Sequence, residues 1–220
     1  MENFFTDRHG GFSHGDFASW NMAMHVGDEP AHVALNRAKL QEQVGEIVFM
    51  SQVHGDTVVV VDQVPSDVPI ADALITSNPN LALAVMVADC IPLLLRSEKL
   101  VAAVHVGRAG LVNSIALKTV AMMRGLGAKE ITGYIGPAIC GNCYEVPQDL
   151  QDQVVALHPA AKSQTRSATP GLDLTSALVT ALATVDVAIS IKPGCTFEDE
   201  NLFSFRRNQR TGRQVGVIKL

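Results

Sequence analysis

The sequence predicts an α/β (α+β) fold in which helices are layered over sheet, within one domain spanning residues 1–220. Three observations carry this. The chain is 220 residues long, 47% hydrophobic and 18% charged, which supplies a buried core and argues against disorder. Helix-periodic segments and β-branched runs alternate along it, the pattern of sheets covered by helices. Three successive runs, LALAVMVADC, IPLLLR and LVAAVHVG, are almost continuously apolar, which suits strands buried on both faces.

The elements follow in order. Residues 1–30 are rich in Gly, His, Asp and Asn and read as an ordered, functional loop region. DEPAHVALNRAKLQEQVG is a helix: Asp28 and Pro30 mark its start, Val33, Leu35 and Leu40 are its apolar positions, and Gly45 ends it. EIVFMSQVHG and TVVVVD are β-branched, separated by Gly55-Asp56, and expected as neighbouring strands. The three apolar runs are strands. AGLVNSIALKTVAMMRGLG has helical spacing and stops at Gly125 and Gly127. EITGYIG is a strand, TSALVTALATV a helix, and VDVAISIKP and RQVGVIKL are strands.

Composition narrows the function classes. The net charge is -5, from 17 basic and 22 acidic side chains, and gives no support for a nucleic-acid or membrane surface. The N-terminus lacks a signal-peptide apolar run. The apolar stretch Leu81–Leu95 is interrupted by Asp89 and Pro92 and falls short of the roughly 20 residues a membrane helix needs. A cytoplasmic protein is expected, and Cys90, Cys140, Cys143 and Cys195 are then reduced thiols or ligands.

Asp89 and Cys90 interrupt the apolar run VMVADCIPLLL, and burying an unpaired carboxylate is costly, so the pair implies partners elsewhere. His54 and His105 each end a predicted strand beside a glycine, Gly55 and Gly107. With Cys90 at a third strand end, they form a two-His, one-Cys set. Zinc accepts such a set and keeps a fourth position open for water or substrate. A core histidine and an inert buried thiol are the alternatives. Cys140-x-x-Cys143 lacks a second Cys or His pair for a zinc knuckle and lacks a thioredoxin-like context for redox work, so it reads as shaping a Gly-Pro loop near a pocket. Gly-rich phosphate loops and H-E-x-x-H are absent.

The segments TDRHGGFS, SWNMAMHVGDEPAHVALNR, SQVHGDTVVVVD, ADALITSNPNLALAVMVADCIPLLL, HVGRAG, YIGPAICGNCYEV, LDL and FSFRRNQRTGRQVGVI run through nearly the whole chain. In this order and spacing they resemble the YfiH/LACC1 family, whose members were once labelled multicopper polyphenol oxidases or laccases and are related to purine nucleoside phosphorylases. The resemblance implies a layered α/β/β/α sandwich with mixed sheets. It implies zinc on His54, Cys90 and His105, with copper the less fitting metal because seven scattered histidines poorly serve a multicopper centre. It also implies phosphorolysis of adenosine, inosine, guanosine and methylthioadenosine, with adenosine deamination beside it. The family's His-Ala-Gly-Trp-Arg-Gly is here His105-Val106-Gly107-Arg108-Ala109-Gly110, which keeps the ligand and replaces the tryptophan and the arginine.

Zinc-activated water or a leaving purine base needs an acid/base partner. Asp89 is the first candidate, with Cys90 as its catalytic neighbour, and Asp56 the second. The guanidinium fork suits phosphate. Arg8, in its Gly- and His-rich loop, leads Arg37, Arg206 and Arg207, for which packing or salt-bridged roles compete. Gln52 and Asn21 are candidates for contact with base or ribose. Competing readings are a cysteine hydrolase using Cys90 and His105, a catalytically silent metal-binding protein, and a polyphenol oxidase.

Overall fold

The computed structural model describes residues 3–220. Two mixed sheets stack face to face. The first contains β1 (Asn3–Phe5), β2 (Glu46–Val48), β5 (Leu81–Val87) and β12 (Gln214–Ile218), in the order β1-β12-β5-β2. The second contains β3 (Val58–Val60), β4 (Ala73–Thr76), β6 (Ile91–Arg96), β7 (Val101–Val106), β8 (Thr132–Ile135) and β11 (Ala188–Ile191), in the order β11-β8-β6-β7-β4-β3. Strands β9 (Lys162–Gln164) and β10 (Pro170–Leu172) pair in a small ribbon.

Side-chain alternation explains why both faces of the central strands are apolar. Along β5, Leu81, Leu83, Val85 and Val87 join Leu74, Leu94, Val101 and Ala103 between the sheets. Ala82, Ala84 and Met86 point the other way, where Leu40 and Val44 of α1 (Pro30–Val44) cover them. On the second sheet, Ile91, Leu93, Leu95, Ala102 and Val104 face away from the first sheet. They meet α3 (Ile115–Gly125), α4 (Gln148–Leu157) and α5 (Leu174–Ala183). The result is helix, sheet, sheet, helix. Each fully buried Leu or Val contributes about 1.5–3 kcal/mol, and such residues concentrate in β4 to β7.

Three sequence expectations are corrected. EIVFMSQVHG is a strand only over β2; residues beyond Val48 leave the sheet, and Ser51 makes only an isolated bridge to Ile70. β2 and β3 are therefore not neighbours but lie in different sheets. The start of α1 is as expected: Pro30 is the first helical position after the Glu29 N-cap, and Asp28 accepts from the Glu29 N–H. AGLVNSIALKTVAMMRGLG is two helices, α2 (Arg108–Val112) and α3, because Ser114 takes a left-handed φ of 61° and restarts the chain at buried Ile115. The short α6 (Phe205–Asn208), α4 and β1, β9 and β10 had no distinct sequence signal. In α4 only Gln151 and Val154 are buried, so its apolar stripe is sparse. Among the described residues, no helix is long and apolar enough to cross a membrane.

Candidate metal centre and active site

Strand parity and register assemble the site. In β7, Val101 and Ala103 face the other sheet, so His105 does too, two residues on. The β6–β7 register pairs His105 with Pro92. Cys90 lies just before β6, in the β5–β6 turn, rather than at a strand end. Asp89 makes that turn with a φ of 98°. His54 also differs from expectation: it sits on the loop after β2, with a φ of 58°. Positive φ is costly for these side chains, and both are held by hydrogen bonds. The His54 N–H donates to Asp72 Oδ1 at 3.0 Å. Asp89 Oδ1 accepts from the Thr196 hydroxyl at 2.7 Å and Oδ2 from the Arg206 N–H at 2.6 Å.

The metal-type donor atoms of His54, Cys90 and His105 lie within 4.8 Å of one another. His54 Nε2 is 3.8 Å from Cys90 Sγ. The two imidazoles meet edge to face, with centroids 4.7 Å apart. Gly107 closes in beside them; a Cβ there would lie 3.1 Å from both Cys90 Sγ and His54 Cδ2. Two imidazoles and a thiolate match the donor chemistry of zinc.

Asp72 was missed in the sequence. It is fully buried at the start of β4 and accepts from His105 Nδ1 at 2.7 Å. It also accepts from the N–H groups of Val53, His54 and Gly55. Its available signal was an acid opening the apolar run ALIT, the same anomaly that drew attention to Asp89. Burial opposes ionisation of Asp72, but His105 and the amides of Gly55 and Val53 outweigh it and hold its pKa below the usual carboxylate value. Burial likewise opposes charge on His105, yet Asp72 and Cys90 raise its pKa to about 9. Burial would raise the Cys90 thiol; hydrogen bonds from His105 and His54, and their charge, instead hold it down at about 6. Near neutral pH the metal-free triad is thus a thiolate beside an imidazolium.

A cavity of about 390 Å³ opens over this triad, a size suited to a small organic ligand. Met86, Val87, Ile139, Leu174 and Phe205 supply apolar wall, and Arg108, Arg206, Arg213 and Tyr144 supply polar groups. Asp89 is the one carboxylate among the lining residues. Arg206 lies over the Tyr144 ring at 5.1 Å, and Arg213 over Phe205 at 5.9 Å. Arg108 occupies the position where the family resemblance placed tryptophan, so this chain brings a cation there.

The structure brings His54, Asp89, Cys90, His105 and Gln52 to one cavity. Gln52 spends its amide on β5: Oε1 accepts from Met86 N at 2.8 Å and Nε2 donates to Met86 O at 2.7 Å. Arg8 and Asn21 do not line the cavity. Arg8 Nε donates to Ala18 O at 2.7 Å, and its guanidinium stacks over Phe203. Asn21 is fully buried and bonds Asp28, Ala23 and the Arg213 N–H, tying the N-terminal loops to the start of β12. Arg207 donates to four carbonyls, of Thr196, Phe197, Asp199 and Leu202, and Arg37 stacks on Phe49. Asp56 pairs with Lys118 at the surface. No local pattern singles out Arg213, whose place in the cavity is set only by folding.

The expectation that Cys140-x-x-Cys143 has no second half is also corrected. Cys195 and Glu198 complete a four-donor cluster whose ligand atoms lie within 4.8 Å of one another.

The comparisons agree with this architecture. A family model described as multi-copper polyphenol oxidoreductase laccase matches residues 2–220. The purine nucleoside phosphorylase of Corynebacterium glutamicum is 44% identical over 228 residues, covering 98% of this chain and 93% of that protein. The purine nucleoside phosphorylase of Mycobacterium tuberculosis is 41% identical over 224 residues, covering 97% and 89%. Among solved structures, a Neisseria meningitidis protein of the DUF152 family superposes with a TM-score of 0.92 at 34% identity, covering 99% of this chain and 93% of that one. The Bacillus licheniformis hypothetical protein YfiH superposes with a TM-score of 0.88 at 29% identity, covering 99% and 92%. The chain belongs to the DUF152/YfiH family, the family described by the laccase model.

Proposed function

We propose that this cavity is the active site of a purine nucleoside phosphorylase that holds zinc on His54, Cys90 and His105. The observation that carries the reading is the meeting of two chemistries in one cavity: a two-His, one-thiolate donor set and three arginines. The first suits a metal, the second an oxyanion such as phosphate. Relatives named purine nucleoside phosphorylase at 40–44% identity support it.

His54, Cys90 and His105 would hold the ion, and Asp72 fixes His105 with Nε2 turned to it. Bound zinc supplies a Lewis acid that stabilises negative charge on an oxygen or nitrogen of the substrate or on water. Arg108, Arg206 and Arg213 would hold phosphate against the ribose. A phosphate oxygen bonds to C1′, the C1′–N9 bond breaks with its electron pair going to the purine, and the base takes up a proton. Asp89, which accepts from the Thr196 hydroxyl and the Arg206 amide, would exchange that proton. Met86, Val87, Ile139 and Phe205 offer apolar contact for the base. Adenosine, inosine, guanosine and methylthioadenosine are the proposed nucleosides, with adenosine deamination as a second activity of the same centre.

Copper oxidase chemistry fits less well. Of seven histidines, only His54 and His105 gather in a metal-type donor group among the described residues. A second reading, a cysteine hydrolase, draws on the Cys90 thiol held at about 6 beside His105. Chelation separates the two. The phosphorylase reading predicts that stripping metal abolishes turnover, that zinc restores it, and that zinc shields Cys90 from alkylation. Turnover that survives full chelation would replace it with the hydrolase reading.

A further inference from the structure

We propose that Cys140, Cys143, Cys195 and Glu198 form a second metal site, for a structural zinc ion that braces the wall of the first cavity. The proposal stands independently of the phosphorylase reading. The two halves have matching spacing, Cys140-x-x-Cys143 and Cys195-x-x-Glu198. Each is a turn closed on its first residue. The Cys143 N–H donates to Cys140 O at 3.0 Å, and the Glu198 N–H donates to Cys195 O at 3.1 Å. Such turns aim the first and fourth side chains to one side, as a two-ligand half-site requires.

Topology brings the halves together. β8 and β11 are parallel neighbours, so the loops after them leave the same sheet end. The pairing continues past the strands in a parallel bridge between Ala138 and Cys195. The Cys140 N–H then donates to Cys195 Sγ at 3.4 Å, and the Cys143 thiol donates to Glu198 Oε1 at 3.1 Å. All four ligand atoms lie within 4.8 Å of one another, and all the cysteines are free thiols. Zinc–sulfur bonds of about 2.3 Å put tetrahedral ligands roughly 3.8 Å apart, so closure needs shifts of about 1 Å. Three thiolates and a carboxylate form a closed soft set that favours zinc and leaves no position for substrate. Binding releases the three thiol protons to solvent. The ligands leave two net negative charges around the ion, and Arg166, paired with Glu198, offsets one.

The site's neighbours give it a consequence. Ile139 and Tyr144, beside Cys140 and Cys143, line the catalytic cavity. The Ile139 N–H donates to Asp89 O at 3.0 Å. Thr196, beside Cys195, donates to the Asp89 carboxylate. A metal there fixes the two segments that hold Asp89 in its positive-φ turn.

The test is metal stoichiometry in a Cys90→Ala background, which disables the first site and leaves this one intact. Purified with zinc under reducing conditions, Cys90→Ala is expected to hold one zinc per chain, and Cys90→Ala/Cys143→Ser to lose it. Cobalt added to stripped Cys90→Ala should give the intense thiolate-to-cobalt charge transfer of a multi-thiolate tetrahedral site, a readout that needs no variant of the cluster itself. If Cys90→Ala misfolds, exposed His54→Ala serves in its place. Absence of metal and of the cobalt band, with three free thiols in unfolded Cys90→Ala, would overturn the proposal. One free thiol in place of three would also overturn it, by making the cluster a disulfide.

Discussion

His105 donates its Nδ1 proton to Asp72 across 2.7 Å, with both side chains buried. This bond fixes the tautomer and turns Nε2 toward Cys90 and His54. Asp72 also binds the backbone at residues 53–55, so one carboxylate orients one donor and positions the loop carrying another.

Asp72→Asn is therefore expected to weaken zinc binding about 10- to 100-fold, the usual cost of losing such a support. Competition titration with a chromophoric chelator measures it. Turnover should return when zinc is supplied in excess. Unchanged zinc affinity would mean that Asp72 serves only the loop.

Gly107→Ala tests the packing around the donors. Gly107 has a φ of -84°, which alanine adopts freely, so the backbone is not the obstacle. Its new methyl would press on Cys90 and His54 at 3.1 Å. Zinc affinity should fall by about tenfold, at the lower end of the cost of disturbing ligand placement, while the far-UV spectrum stays that of the parent.

Proton competition sets the pH dependence of metal binding. Cys90 loses its proton near 6, and His105 keeps its own to about 9. Between these values zinc must displace one proton, from His105. Apparent affinity should rise about tenfold per pH unit across that window and level off above it. Below 6 the Cys90 proton must leave as well, so the slope steepens toward two. In metal-stripped protein, alkylation of Cys90 should rise with a midpoint near 6 rather than near 9. A midpoint near 9 would mean that the imidazoles do not stabilise the thiolate.

The arginines separate two sequence candidates. Arg206 lines the cavity, whereas Arg8 is bonded to Ala18 and stacked on Phe203. Arg206→Ala should raise the phosphate KM about tenfold or more, from lost hydrogen bonds between charged groups worth about 1.5–3 kcal/mol. Arg8→Lys should lower thermal stability and leave the phosphate KM unchanged. The reverse pattern would return phosphate binding to the N-terminal loop.

The fold was legible where one physical signal dominated. LALAVMV, IPLLLR and VAAVHV are apolar runs buried on both faces. α1 was legible from Pro30 and Gly45. The break at Ser114 was not, because a left-handed residue between Leu111 and Ile115 leaves the apolar spacing intact. In the site, donor chemistry singled out His54, Cys90 and His105, although only His105 lies in a strand. Asp72 stayed hidden because it lies 33 residues from His105 and meets it only through β4–β7 pairing. Cys195 and Glu198 stayed hidden because the fourth donor is a carboxylate, outside the Cys and His patterns used to find a knuckle. Arg8 and Asn21 were selected from a Gly- and His-rich loop that resembles a binding loop; in the structure their polar groups tie that loop to the core.

The most direct measurement is product analysis of adenosine incubated with protein of known zinc content, with and without phosphate, beside a Cys90→Ala control. The account predicts adenine and ribose 1-phosphate in equal amounts, dependent on phosphate and absent from the control. Adenosine left intact by zinc-loaded protein, with inosine and methylthioadenosine also untouched, would contradict it and leave a metal-binding protein without this catalysis.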